Sequence, residues 1–277
     1  MKHKIGIIGS KGMVGGALKR YFEKKDYPLY CYDKSGEGSL DSVNQADYVY
    51  IAVPTPFVEG LGCDTRIIEE LLEGLHSGKV IIIKSTIIPG TTDRLQKKFH
   101  GQKFIFNPEF LTEATADQDM NFPDRQIVGY TEQSYAHTGE VLKQLPLASY
   151  EAIVPAFVAE FAKYAANTWF AVKVAKNNEL YDIFTKFGGS DEQFERVIDC
   201  LATDKRIGRS HLEIWHKGYR GYGGKCLPKD TKAFISFADK LGVNSPITSA
   251  ADKYNDSLAA GETRANPQKE PAKPSKI

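Results

Sequence analysis

This chain is short of the features that would commit it to most functional classes. Its 277 residues carry 36 Lys and Arg against 35 Asp and Glu, so net charge supplies no field to draw it to nucleic acid or an anionic membrane. Cysteine is scarce. Cys31, Cys63, Cys200 and Cys226 lie far apart with no C-x-x-C pair, which argues against a disulfide framework and a zinc site, and fits a reducing cytoplasm. No apolar run approaches a membrane span, and Met1-Lys2-His3-Lys4 leads into an apolar stretch too short for a signal-peptide core. The expectation is a soluble protein with one large domain and a smaller one, whose partners are small molecules and protein.

What is present begins with a short apolar strand, residues 5–8, running into Gly9-Ser10-Lys11-Gly12-Met13-Val14-Gly15 and then a helical pattern over 17–24. The glycines permit a tight turn, and the helix N-terminus offers unpaired N–H groups and partial positive charge to a pyrophosphate. A second strand, 29–32, ends in Asp33, about 20 residues on, followed by Lys34. A carboxylate there accepts from the ribose hydroxyls of NAD and repels the 2′-phosphate of NADP, so NAD is the expected cofactor.

Further apolar runs at 48–53, 80–83, 104–106 and 127–128 alternate with helical patterns at 65–75 and 91–99. This predicts an α/β fold: an N-terminal Rossmann-like parallel sheet with helices on both faces, followed by an α-helical central, dimerisation domain. Pro54-Thr55-Pro56, Ser85-Thr86 and Asn107-Pro108-Glu109 fall at the carboxyl ends of strands, where such sheets bind ligands, although each also reads as ordinary loop chemistry. From residue 155 to 187 the pattern becomes one long helix, with Phe157, Phe161, Ala165, Trp169, Val172 and Leu180 at helical spacing, suited to a dimer core. Helices follow at 191–201, 231–241 and 247–258. The expected division is an NAD-binding domain over 1–153, a helical central domain over 154–260 and a polar, Pro-punctuated, disordered tail over 261–277.

Among the later helices sits Gly223-Gly224-Lys225-Cys226-Leu227-Pro228-Lys229-Asp230. Thiolate is the reactive form of cysteine; Lys225 and Lys229 would stabilise it, and the glycines would let a substrate approach. The alternative is a small buried thiol in a glycine-rich turn.

Five segments together (the glycine turn, Lys84-Ser85-Thr86, residues 107–113, Glu160 to Asn167 and Gly221 to Asp230) resemble the UDP-glucose/GDP-mannose dehydrogenase family from residue 1 to about residue 258. Enzymes of that family oxidise the primary alcohol of a nucleotide sugar to a carboxylate, reducing two NAD. The resemblance implies that Cys226 adds to the aldehyde, giving a thiohemiacetal and then a thioester. It implies that Lys163 and Asn167, four apart on one helix face, form an oxyanion site, with Lys163 a rival general base. Asp230 and Thr86 would hold a water and handle the proton, and Glu109 and Glu113 would stand at the nicotinamide side of the sugar.

For NAD the resemblance carries over Gly9, Ser10, Gly12, Met13, Val14 and Gly15, together with Asp33, Lys34, Thr55, Thr86, Glu113 and Lys229. For the sugar nucleotide it carries over Glu109, Phe110, Leu111, Lys163 and Asn167, together with Trp215, Tyr219 and Gly223. The chain departs from the family in four places. A third, nucleotide-binding domain is expected to be lacking, the stretch from Asp33 to Ala46 is short, Trp215-His216-Lys217 stands where small amides and proline are common, and Ala114 replaces a frequent glycine. Two other readings stay open: a two-electron β-hydroxyacid-type dehydrogenase using Lys163 as base, and a non-catalytic NAD-binding subunit.

Overall fold

The structure, a computed structural model, describes residues 2–216 and 218–260; the tail expected to be disordered lies outside the described residues. Two compact units divide between Ala165 and Ala166.

The first unit carries an eight-stranded sheet. Its central strands β1 (Ile5–Ile8), β4 (Tyr48–Ile51) and β7 (Val80–Ile83) are buried along their whole length, which is why they read as unbroken apolar runs. Around them the chain adds α1 (Met13–Lys24), β2 (Leu29–Asp33), β3 (Glu37–Gly38), α2 (Leu40–Val43), the small hairpin β5 (Phe57–Val58) and β6 (Gly62–Cys63), and α3 (Arg66–Glu73). After β7 come α4 (Thr91–Lys98), β8 (Lys103–Phe106), α5 (Ala116–Asn121), β9 (Arg125–Tyr130), α6 (Thr138–Gln144) and β10 (Tyr150–Pro155). The strand order is β10-β9-β8-β7-β4-β1-β2-β3.

The expected α/β fold is present, but the sheet is mixed rather than all parallel. β2 with β3 and β8 with β9 pair antiparallel. A parallel neighbour requires the chain to cross back over the sheet. Neither segment does so. β3 returns through a short turn, and residues 107–124, holding only the six-residue α5 packed on α1, enter β9 from the end where β8 stopped. Where the Asp33-to-Ala46 stretch looked too short for a full helix, it forms β3 and the single turn α2.

The long helix α7 (Ala156–Lys186) starts within a residue of the expected position. The unit division nevertheless falls inside it, not at residue 153, because its first turns are tied to the sheet unit. Glu160 accepts from Gly90 and Thr92, and Lys163 donates to Glu109.

In the second unit α7 packs with α8 (Asp191–Ala202) around Tyr181, Phe194, Ile198, Leu212 and Ile214. The unit is not purely helical: β11 (Trp215–His216) and β12 (Tyr219–Arg220) form a hairpin ahead of the glycine-rich turn. The helix expected from residue 231 begins four residues earlier, as α9 (Leu227–Lys240), and is followed by α10 (Pro246–Ala260). Pro228 stands in its first turn, where a missing N–H costs nothing, and Asp230 suits its positive end. Cys226 is thus a helix N-cap, not a mid-loop residue. Among the described residues no helix is long and apolar enough to cross a membrane.

Candidate functional site

The glycine turn is shaped by close backbone approach. A Cβ at Gly9, whose φ is +84°, would collide with the carbonyl oxygen of Ala52, and one at Gly15 with that of Gly9. Gly12 is the N-cap of α1 and brings no capping side chain, and the first helical turn holds no acidic residue. Met13 and Val14 are therefore first-turn amide donors without an intrahelical acceptor, at the positive end of the helix. This cradle fits a dinucleotide pyrophosphate.

At the edge of the turn, Asp33 Oδ2 accepts from the Lys11 amide at 3.0 Å, and Oδ1 accepts from the Ser35 amide at 2.9 Å and hydroxyl at 2.6 Å. The Ser35 hydroxyl, then the two amides, hold its carboxyl below the ordinary range. Lys34 beside it is exposed. Ser10 is buried, and its hydroxyl donates to Glu37 Oε2 at 2.5 Å, while Lys19 of α1 pairs with the other oxygen. Glu37 escaped the sequence reading, since nothing around it marks it beyond the turn it follows.

The strand-end loops interlock. Thr55 donates to the Thr86 carbonyl at 2.6 Å, and the Ser85 hydroxyl accepts from the Val53 amide at 3.0 Å and donates to the Val53 carbonyl at 2.7 Å. Lys84 Nζ donates to Asn107 Oδ1 at 2.6 Å, and Asn107 Nδ2 donates to the Ile127 carbonyl at 2.7 Å. Burial pushes the Lys84 ammonium down to about 7, with Glu109 opposing and Lys163 adding to the shift.

Glu109 and Lys163 form a buried pair, 8% and 5% exposed. Lys163 Nζ donates to the Glu109 carboxylate at 3.1 Å and to its carbonyl at 2.6 Å, and the second carboxylate oxygen accepts from the Leu111 amide at 2.8 Å. Phe110 lies under the Arg125 guanidinium, 3.7 Å from ring centroid to Cζ. Glu113 stands on an exposed turn, after residues 107–112, which run as loop. Glu160, also fully buried, accepts from the Gly90 amide at 2.6 Å, the Thr92 amide at 2.8 Å and the Thr92 hydroxyl at 2.6 Å. Burial outweighs these donors and pushes its carboxyl up to about 7.

In the second unit the exposed Cys226 opens α9, its carbonyl accepting from the Asp230 amide at 2.9 Å. Asp230 is fully buried; Oδ2 accepts from Asn167 Nδ2 at 2.6 Å, and Lys229 pairs with Oδ1. Lys163 thus donates to the Glu109 carboxylate and Asn167 to that of Asp230. The glycine-rich turn is pinned by Asn255, whose Oδ1 accepts from the Tyr222 amide at 2.7 Å and whose Nδ2 donates to the Tyr222 carbonyl at 3.0 Å. The sequence reading missed Asn255 for want of any local signature. Gly223 lies against Tyr219: a Cβ there would come within 2.8 Å of the hydroxyl. Trp215 and Tyr219 are half-buried in the hairpin.

Residues 35–146 match the NAD binding domain of the UDP-glucose/GDP-mannose dehydrogenase family, and residues 157–257 match its central domain. The chain is 33% identical over 234 residues to the UDP-glucose 6-dehydrogenase of Pseudomonas aeruginosa, covering 78% of this chain and 49% of that one. Among solved structures it is similar to a UDP-glucose dehydrogenase from Pyrobaculum islandicum, with TM-score 0.81 and 26% identity over 93% of this chain and 68% of that one. It shares the fold alone with Mycobacterium tuberculosis 3-hydroxyisobutyrate dehydrogenase, with TM-score 0.71 and 15% identity over 96% and 97% of the two chains. The chain spans about half the length of the curated relatives it matches. The matched NAD binding domain supports NAD as the cofactor.

Proposed function

Because the chain belongs to the UDP-glucose/GDP-mannose dehydrogenase family, we propose that it oxidises C6 of a UDP- or GDP-hexose to the uronic acid in two hydride-transfer steps. NAD supplies the hydride acceptor each time. In the first step the alcohol loses its proton to the Asp230 and Thr86 pair or to Lys163, leaving an aldehyde. Cys226 thiolate then adds to the aldehyde carbon, forming a C–S bond and an oxyanion held by Lys163 and Asn167. Loss of the second hydride leaves a thioester. Water, activated by Glu109 or Glu113, cleaves the C–S bond, releasing the carboxylate and returning the thiol.

The observation that carries this reading is Cys226 at the N-cap of α9. A helix N-terminus stabilises a thiolate there, and the buried Asp230 one turn on is oriented by Asn167 and Lys229. Counting NADH formed per sugar across a panel of UDP- and GDP-sugars tests it. Two per sugar, abolished by Cys226→Ser, is the expected outcome. One per substrate, indifferent to alkylation of Cys226, would assign the two-electron chemistry instead, and NAD binding without turnover would leave a non-catalytic subunit.

The same reading includes a homodimer in a reducing cytoplasm. Phe157, Phe161 and Trp169 lie at four- and eight-residue steps along α7 and are 53%, 47% and 72% exposed, an apolar stripe suited to a second copy of the helix. Sedimentation should give a dimer that Trp169→Glu converts to monomer.

A further inference from the structure

Asp33 and Glu37 are directly opposed partners across the antiparallel β2–β3 hairpin, which closes through Gly36 at φ +98°. Opposed residues point their side chains to the same face, so two carboxylates stand together at the ribose end of the NAD crevice. Asp33 is already heavily used: Oδ1 accepts twice from Ser35 and Oδ2 once from Lys11. Of its roughly four lone-pair sites, one is left for a ribose hydroxyl. Glu37 meanwhile ties the glycine turn to α1, taking the Ser10 hydroxyl on one oxygen and the Lys19 ammonium on the other. Both contacts hold its carboxyl below the ordinary range, Lys19 most, so it is charged at neutral pH.

We propose that Glu37 is a specificity-determining residue of this crevice: it excludes a 2′-phosphorylated cofactor by its own charge and by keeping Lys19 occupied. A 2′-phosphate entering beside Asp33 would meet a second carboxylate, while the α1 ammonium that could neutralise it is already paired. Removing Glu37 deletes the repulsion and releases the cation in one change. The β2–β3 hairpin makes this possible, since it stands where the chain is too short for a full helix.

The inference rests on the NAD crevice and not on the sugar, so its test needs no turnover. NADH and NADPH are titrated against the full chain by nicotinamide fluorescence. Wild type should prefer NADH, and Glu37→Gln should narrow that preference by about tenfold or more, through tighter NADPH binding. Adding Lys19→Met to Glu37→Gln should take the gain away. Ser10→Ala, which removes the turn contact and keeps the carboxylate, should weaken both cofactors alike and leave the preference where it was. A preference within about threefold of wild type in Glu37→Gln, or loss of both cofactors together, overturns the proposal. A wild type that binds NADH but oxidises no nucleotide sugar would sink the proposed substrate and leave this test standing.

Discussion

The N-terminus of α4, in the first unit, and that of α8, in the second, are held by different means. At α8 the cap is local: Ser190 accepts from the Gln193 amide, and the Gln193 side chain accepts from the Ser190 amide. At α4 the N-cap is Gly90, at φ +88°, with no side chain to offer, and the Gly90 and Thr92 amides go to Glu160, 70 and 68 residues along the chain. The first cap forms with its own helix, whereas the second exists only once α7 has docked on the loop before α4. The charged pairs differ likewise. Lys229 and Asp230 are neighbours in sequence, while Lys163 and Glu109 lie 54 residues apart. Local devices tolerate loosening of the tertiary structure; the Glu160 and Lys163 contacts do not.

The largest effect should come from breaking the long-range pair. Lys163→Met leaves the Glu109 carboxylate buried without its cation, at a cost of about 3–5 kcal/mol in urea unfolding. Adding Glu109→Gln should recover part of that, because the stranded charge is gone. A loss below about 1 kcal/mol in Lys163→Met would mean the pair is no more structural than a surface bridge.

Next in size is a dependence on pH. The Glu160 carboxyl rises from 4.5 to about 7 on folding, so between those values the folded protein keeps a proton that the unfolded chain has released. Its contribution is therefore full below about 4.5 and is lost as pH rises towards 7, at up to about 1.4 kcal/mol per pH unit. Lys84 falls from 10.5 to about 7, so its contribution is present above 10.5 and lost as pH falls through about 7. Urea midpoints followed across this range should lose their acid-side decline in Glu160→Gln and their alkaline-side rise in Lys84→Met. Identical profiles for Glu160→Gln and wild type would show that the α4 cap carries no buried proton.

The same contrast explains what the sequence made legible. The glycine turn, Asp33 and the central strands were visible because their causes are local: steric demand at Gly9 and Gly15, and full burial along β1, β4 and β7. The long helix was visible for the same reason. β10 was not, because it is an edge strand with several exposed positions and no clean alternation. The start of α9 was hidden by Pro228, which reads as a loop residue unless its place in a first turn is known. Glu37 and Asn255 carry no signature because each acts on partners 18 to 33 residues away.

The smallest effect tests the local end of the comparison. Ser190→Ala removes one side of the α8 capping box and should cost about 1 kcal/mol, with no change in the shape of the pH profile. Hydrogen exchange should speed up at the first turn of α8, around Gln193, and leave the amides of Gly90 and Thr92 as protected as before. In Glu160→Ala the order reverses, and the α4 amides lose protection while α8 keeps its own. Loss of α4 protection in Ser190→Ala would mean that the α8 cap is not local, and the distinction between the two helix starts would fail.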